Sequence, residues 1–466
     1  MHLIAIGGSD AGISAALRAR EIDPATEVTV VVADAYPNFS ICGIPYYVSG
    51  EVTHWRNLAH RTVADLEATG MALRLDTVAT RIDPQAHKLA VEGPEGEALL
   101  AYDALVVGTG AVPVRPPIEG LEPDALGEKD GVHLLHSMGD TFAVMRTLEE
   151  RAPTRAVIVG AGYIGLEMAE ALVARGLVVT QMEQLDEVLP TVDPELGALV
   201  HAQLAEHGVD VRTRTTVRRI ARRSDGGLEV TATTADGTEV VCQADMVLVV
   251  VGVRPDTELA AAAGAELGFK GAIAVDQEMR TNLPDVFAAG DCVVTYHRLL
   301  GHTYLPLGTT AHKQGRVAGE NALGGDRVFA GSLGTQVVKV FDMVASRTGL
   351  RDHEAKAAGF DPLSVEFEGD DHKAYYPGSH RIRVRYTGDG RTGRLLGVQL
   401  FGHRHAEVAK RIDVAAAAIF SELSVDQVSD LDLSYTPPLG SPWDVVQGGA
   451  QAWVREATNQ GGLATR

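Results

Sequence analysis

The chain is short of cysteine, aromatic residues, positive charge and long apolar runs, and each shortage excludes something. Cys42, Cys242 and Cys292 are the only cysteines among 466 residues. That is too few for a disulfide framework and fits a reducing compartment. Lys and Arg number 41 against 62 Asp and Glu, a net charge of −21. A general nucleic-acid binder instead needs a basic face to displace counterions. The longest apolar runs, such as residues 246–253, span about eight residues, against the roughly 20 of a membrane helix. Residues 1–10 carry no basic n-region and no cleavage site, so no signal peptide is read. A cytoplasmic protein with no membrane or nucleic-acid partner is expected. Glycine, by contrast, is abundant: 50 residues, about 11% against roughly 7% on average. With so few aromatics this suits an α/β chain with many tight turns.

Two stretches share one grammar. Residues 3–6 form an apolar run that breaks into Gly7-Gly8-Ser9-Asp10-Ala11-Gly12, followed by a helical pattern and a second apolar strand at 28–32 ending near Asp34. Residues 156–159 lead into Gly160-Ala161-Gly162-Tyr163-Ile164-Gly165, a helix to about Arg175, and a strand at 178–182 closed by Glu183. Each is a strand–glycine turn–helix–strand unit. In such a unit the turn lets backbone N–H groups approach a pyrophosphate and the helix dipole favours its charge. The second unit is complete; in the first, Ser9 stands where the middle glycine is expected. Asp34 and Glu183 occupy the positions of ribose-binding carboxylates. Glu183 is expected to repel a 2′-phosphate and so favour NADH, with NADPH still possible. From about Asp326 strands at 336–340, 381–386 and 395–400 surround a helix at 406–420, which reads as a separate α+β domain. Residues 458–466 read as a frayed tail. His372, His380, His403 and His405 come without metal-ligand spacing, so no metal is expected.

Several motifs then converge. The run 281–291, ending in Gly290-Asp291, resembles the second flavin motif of the two-dinucleotide-binding-domain flavoproteins. Gly108-Thr109-Gly110-Ala111 and Gly252-Val253-Arg254-Pro255 resemble the two domain-crossing turns of that family. The segment Asn38-Phe39-Ser40-Ile41-Cys42-Gly43-Ile44-Pro45-Tyr46-Tyr47 resembles its single-cysteine branch: coenzyme A-disulfide reductases, NADH oxidases and NADH peroxidases. The paired Tyr46-Tyr47, Val340-Phe341-Asp342, Tyr375-Tyr376-Pro377-Gly378 and Tyr435-Thr436-Pro437-Pro438 resemble the coenzyme A-disulfide reductases more closely.

The resemblance implies a fold of two Rossmann-like dinucleotide-binding domains and a C-terminal α+β dimerisation domain. FAD would be held by residues 1–112 and 251–325, NAD(P)H by residues 113–250, and the dimer by residues 326–466. FAD would contact Gly7, Ser9, Gly12, Asp34, Thr109, Gly110, Gly252, Gly290 and Asp291. NADH would contact Gly160, Gly162, Tyr163, Ile164, Gly165 and Glu183, with Tyr163 gating the nicotinamide and Glu167 near the flavin. Cys42 would carry the redox chemistry. With no second cysteine in its motif, its oxidised form must pair with something external, such as a low-molecular-weight thiol, a persulfide sulfur or a sulfenic oxygen. A helix N-terminus and the flavin are expected to depress its pKa. Tyr376 and Tyr435 would reach the partner's active site in a homodimer, where a phenol can protonate a leaving thiolate. No rhodanese-like extension is read after residue 466, so a persulfide substrate is expected to come from outside. Arg18 and Arg20 are either a solvated helix face or contacts for a coenzyme A phosphate. The implied activity is NAD(P)H-dependent reduction of a small disulfide or persulfide; the alternative is an NADH oxidase or peroxidase cycling through a sulfenic acid. Two departures stand out. Asp10 replaces the His of the oxidases and peroxidases, and is either a helix cap or a carboxylate facing Cys42. Trp443 is bulkier than its counterparts, which bears on the disulfide substrate.

Overall fold

The computed structural model describes residues 1–461. Two parallel five-stranded sheets carry the first two-thirds of the chain. In one the order is Val286–Ala288, Ala104–Val107, His2–Ile6, Glu27–Val31, Ala72–Arg74. In the other it is Asp210–Arg212, Val178–Met182, Arg155–Val159, Met246–Val249, Val132–Leu134. Every pairing in both sheets is parallel. Their central strands are buried almost residue for residue, as Leu3–Ile6, Leu105–Val107 and Val157–Ile158 illustrate. That is why they read as continuous apolar runs and not as alternating patterns. The helices Asp10–Ile22 and Tyr163–Ala174 follow the two glycine turns. Two antiparallel three-stranded sheets flank the parallel ones.

The two crossing turns form one structure. Val253–Pro255 pairs antiparallel with Ala111–Pro113, and Asp256 N–H donates to the Gly110 carbonyl at 3.0 Å. The Thr109 hydroxyl donates to the Asp256 carbonyl at 2.6 Å. The chain therefore leaves and re-enters the first sheet side by side.

The last third is an antiparallel five-stranded sheet, ordered Gln336–Val340, Met343–Gly349, Leu395–His403, Arg381–Asp389, Pro362–Asp370. Helices Val408–Phe420 and Val445–Asn459 cover it. Trp453 is fully buried and its indole N–H donates to the Leu363 carbonyl at 2.7 Å. Thr458 and Asn459, expected in a frayed tail, complete the last helix. Residues 462–466 lie outside the described residues. Among the described residues, no helix is long and apolar enough to cross a membrane.

One helix pair positions the site. Helix Asp10–Ile22 lies against helix Gly308–Asn321, turn matched to turn. A Cβ at Gly315 would sit 2.3 Å from the Ala11 carbonyl oxygen, and one at Gly319 would sit 2.2 Å from that of Ala15. Only glycine allows backbones to approach so closely. Beside this seam Ser14 bonds His312 at 2.8 Å and Arg18 pairs with Glu320 at 2.8 Å. Gly315→Val should force the helices apart at a cost of about 1–3 kcal/mol, lowering the melting temperature and loosening FAD. An unchanged melting temperature and flavin content would show that the seam tolerates a side chain.

Candidate active site

The Cys42 loop is pinned before the cysteine is reached. Ser40 N–H donates to the Leu58 carbonyl at 2.8 Å and His60 N–H to that of Asn38 at 2.9 Å. Asn38 N–H donates to the Gly8 carbonyl at 2.6 Å, which ties this loop to the first glycine turn. The chain then makes one tight turn, Ile41–Gly43, and the short helix Ile44–Ser49. Pro45 sits in the first turn of that helix, where a missing N–H costs nothing.

Cys42 is exposed on one side, yet protein crowds it on the others. Desolvation is the main influence and raises its thiol pKa; the charges of Glu167, Asp10 and Asp291 raise it further. The expected depression is therefore not supplied by the protein's own groups. The helix that follows is only six residues long, and three carboxylates oppose its weak dipole. Asp10 is the first residue of its helix, after the N-cap Ser9, and its carboxylate stands at Gly308, where a Cβ would lie 2.8 Å from Oδ2.

Glu167 lies on the helix after the second glycine turn. Burial raises its pKa to about 7. The Tyr46 hydroxyl donates to its Oε1 at 3.2 Å, and burial followed by Glu167 pushes the Tyr46 phenol well above its usual range. Glu170, one turn on, forms an ion pair with Lys339. Tyr163 is half-buried and its phenol is also pushed up, mainly by desolvation. The Tyr46–Glu167 bond brings the helix that follows Cys42 against the second unit; the sequence gives no local sign of it, because the partners are 121 residues apart.

The site suits a flavin on structural grounds. Asp291 is held by the close approach of its neighbours: a Cβ at Gly290 would lie 2.8 Å from the Ala11 Cβ. The Asp291 Oδ1 is buried without a hydrogen-bond partner, and burial followed by Asp10 raises the carboxyl pKa to about 6. A buried orphan acceptor fits a polyhydroxylated chain such as ribityl. The glycine turn is built to bring backbone close: Gly7 has φ +110°, and Cβ atoms at Gly7 and Gly12 would lie 2.1 Å from carbonyl oxygens. Ser9 is exposed. At the matching position, Gly162, a Cβ would meet nothing within 4 Å, so a serine there costs no clash with the protein. Asp34 is half-buried, and one of its oxygens accepts Tyr36 N–H at 2.8 Å.

The second unit is equally tight. A Cβ at Gly160 would lie 2.6 Å from the Val250 carbonyl oxygen, and one at Gly165 2.2 Å from that of Gly160. Ile164 is half-buried at the start of the helix. Glu183 is buried, and its two oxygens accept N–H groups from Ala161 at 2.8 Å and Leu185 at 3.0 Å. The carboxylate therefore shapes the turn itself, and each oxygen keeps a lone pair for a ribose hydroxyl. Arg214 meets the end of this strand: its backbone N–H donates to the Leu185 carbonyl at 2.8 Å, and its guanidinium lies 3.5 Å from Asp186.

Tyr376 and Tyr435 lie on the C-terminal domain, 43% and 45% exposed. Among the described residues neither makes a hydrogen bond or ring contact with the Cys42 segment of its own chain. Tyr376 packs edge-on to His372 at 5.8 Å. Lys373 lies over the exposed ring of Trp443 at 4.8 Å. Arg18 and Arg20 are structural: Arg18 pairs with Glu21 and Glu320, and Arg20 bonds the carbonyls of Thr69, Pro24 and Thr26. Cys242 and Cys292 are buried and free; burial pushes the Cys292 thiol up to about 11.

A family model described as pyridine nucleotide-disulphide oxidoreductase matches residues 1–315, and that family's dimerisation domain matches residues 335–444. The chain is 34% identical over 444 residues to an NAD(P)H sulfur oxidoreductase (CoA-dependent) of Pyrococcus abyssi, covering 95% of this chain and 96% of the relative. It is 31% identical over 464 residues to an NADH oxidase of Methanocaldococcus jannaschii, covering 99% and 100%. Among solved structures it superposes on an NAD-dependent persulfide reductase from A. fulgidus with a TM-score of 0.91 and 38% identity, covering 99% of this chain and 84% of the other.

Glu167 gives a prediction with a definite sign. Its folded pKa, about 7 against an ordinary 4.5, means that the folded protein holds a proton there that the unfolded chain has lost. Its ionisation weighs against the fold fully above about pH 7 and not at all below about pH 4.5, by roughly 3 kcal/mol at most. Glu167→Gln should raise the melting temperature at pH 8 and leave it unchanged near pH 4.5. An equal shift at both pH values would contradict this.

Proposed function

This chain belongs to the pyridine nucleotide-disulphide oxidoreductase family, and from that premise we propose that it is an FAD-dependent NAD(P)H oxidoreductase reducing a low-molecular-weight disulfide or persulfide, of the coenzyme A-disulfide reductase type, through Cys42. The observation that carries this reading is the lone thiol. Cys42 is exposed and lies in the field of Glu167, Asp10 and Asp291, while Cys242 and Cys292 are buried. An internal disulfide has no second sulfur on that loop, so the oxidised cysteine takes its partner from outside.

FAD, when bound, carries two electrons from NAD(P)H to the oxidised sulfur. The chain's own residues do the rest. Gly7, Ser9, Gly12, Asp34, Thr109, Gly110, Gly252, Gly290 and Asp291 hold that cofactor. Gly160, Gly162, Tyr163, Ile164, Gly165 and Glu183 hold NADH, and Tyr163 covers the nicotinamide pocket. Cys42, as thiolate, attacks one sulfur of the substrate; the other sulfur leaves as a thiolate and takes a proton. Glu167, with a pKa near neutrality, holds a proton at Oε1 or Oε2 beside this exchange. Residues 1–112 with 251–325, 113–250 and 326–466 are the corresponding domains. In a cytoplasmic homodimer Tyr376 and Tyr435, half-exposed in one chain, act as proton donors in the partner's site. The runner-up, an NADH oxidase or peroxidase, draws support from the relative named NADH oxidase, 31% identical over 464 residues. Rapid oxygen uptake with NADH alone would favour it.

Cys42→Ser should keep FAD and its reduction by NADH while losing disulfide and persulfide reduction; undiminished turnover of every disulfide tested would rule the reading out. For the nucleotide, Glu183→Ala should weaken NADH use and raise NADPH use, with Arg214 close by to meet the extra phosphate. Loss of two charge-assisted hydrogen bonds should also cost about 2–3 kcal/mol of stability. Equal efficiency of the wild type with NADH and NADPH would show that Glu183 does not discriminate.

A further inference from the structure

The first hairpin of the C-terminal domain reaches back to the helix that follows Cys42. Strand Gln336–Val340 pairs with Met343–Gly349, Val340 standing opposite Met343, so Phe341 and Asp342 alone make the turn. Phe341 takes φ +53° there, a left-handed conformation that a bulky residue keeps only where its surroundings impose it. Two contacts impose it. Its ring stacks on His207, with centroids 3.8 Å apart and 6° between the planes. Its N–H donates to Glu170 Oε2 at 2.8 Å. The other Glu170 oxygen takes the Lys339 ammonium. The strained turn thus delivers one cation to one carboxylate of the second nucleotide unit.

Lys339 does more than neutralise Glu170. Its Nζ also stands over the Tyr46 ring, 5.6 Å from the centroid, within reach of a cation–π attraction. The Tyr46 hydroxyl donates to Glu167 Oε1 at 3.2 Å, and Glu167 lies one turn before Glu170 on helix Tyr163–Ala174. At the end of the Tyr46 helix, the Arg175 side chain donates to the Val48 carbonyl. Glu167, Arg175 and Lys339 together grip that short helix. The Lys339 and Glu170 side chains are only 22% and 14% exposed, so solvent screens their pairing little.

We propose that Lys339 is a positioning residue for the redox site: from the C-terminal domain it neutralises Glu170 and holds the Tyr46 ring, and so keeps the Tyr46 phenol donating to Glu167. The proposal rests on the reading of Glu167 as the group that holds a proton beside Cys42.

The charges around Glu167 agree with this wiring. Burial raises its carboxyl most; the Tyr46 hydrogen bond opposes burial, Glu170 adds to it and Lys339 opposes it. Cys42 and Tyr163 lie in the field of Glu167 in turn. Glu51 approaches Lys339 to 4.0 Å but is 57% exposed, and so competes weakly. Without the ammonium, Glu170 would stand one turn from Glu167 with no counter-charge, and the Tyr46 ring would lose its cation. Both changes push Glu167 toward its protonated form.

The test is an infrared titration of the FAD-loaded protein across neutrality, following the carbonyl stretch of protonated Glu167, identified by its loss in Glu167→Gln. Lys339→Met should raise the midpoint of that band by about half a pH unit, about a threefold rise in the ratio of protonated to ionised Glu167. Lys339→Arg, which keeps the charge, should restore the wild-type midpoint. Tyr46→Phe should also raise the midpoint in the wild-type background, and should lose most of that effect beside Lys339→Met, because the phenol is then no longer held on Glu167. If Lys339→Met fails to fold, the paired variant Lys339→Met/Glu170→Gln leaves no lone charge and carries the same comparison: Tyr46→Phe should lose most of its effect there too. An unmoved midpoint in Lys339→Met, or a full effect of Tyr46→Phe in either background lacking Lys339, would overturn the proposal. Disulfide turnover is not part of the readout, so failure of the reductase reading and failure of this coupling are separate results.

Discussion

The pinned loop sets Cys42 among three carboxylates from three separate parts of the chain. Asp10 comes from the first helix, Glu167 from the helix of the second unit, and Asp291 from the loop after the last strand of the first sheet. In the protein's own field the thiol is favoured over the thiolate. Reactivity at Cys42 therefore depends on compensating groups: protonation of Glu167 near neutrality, and the cofactor and substrate. A site so arranged responds to small charge changes, and its parts hold their geometry only because the backbone around them is fixed.

That fixing is done largely by glycine. At Gly7, Gly12, Gly160, Gly165, Gly315 and Gly319 a Cβ would strike a carbonyl oxygen at 2.6 Å or less. These contacts bring strand, turn and helix together in both nucleotide units and seat the helix Gly308–Asn321 against the first helix. Where the backbone is open, as at Gly162, the position tolerates a side chain, which accounts for Ser9 in the first unit. The paired crossing turns then lock the two units at one point, with Thr109 and Gly110 bonded to Asp256.

Much of this was legible in the sequence. Continuous apolar runs marked the parallel strands, and the glycine spacings marked both turns. Glu183 could be assigned to the strand end because Rossmann-type units share their lengths. The strands and helix after residue 326 marked the separate α+β domain. What was not legible depends on long-range neighbours. The thiol of Cys42 is raised first by burial and then by Glu167, Asp10 and Asp291, two of which lie more than a hundred residues away. Glu183 was read as a ribose ligand, whereas its bonds to Ala161 and Leu185 also make it part of the turn. Arg214 meets Leu185 only through a contact between two loops far apart in the sequence.

The central claim is that Cys42 exchanges with an external sulfur and has no internal partner. It is tested most directly by the mass of the Cys42 peptide after the purified flavoprotein is exposed to coenzyme A disulfide and then to NADH. The account predicts a gain equal to one thiol from the disulfide, lost again when NADH is added. A Cys42 that never gains the thiol and carries only oxygen, or that links to Cys242 or Cys292, would contradict it.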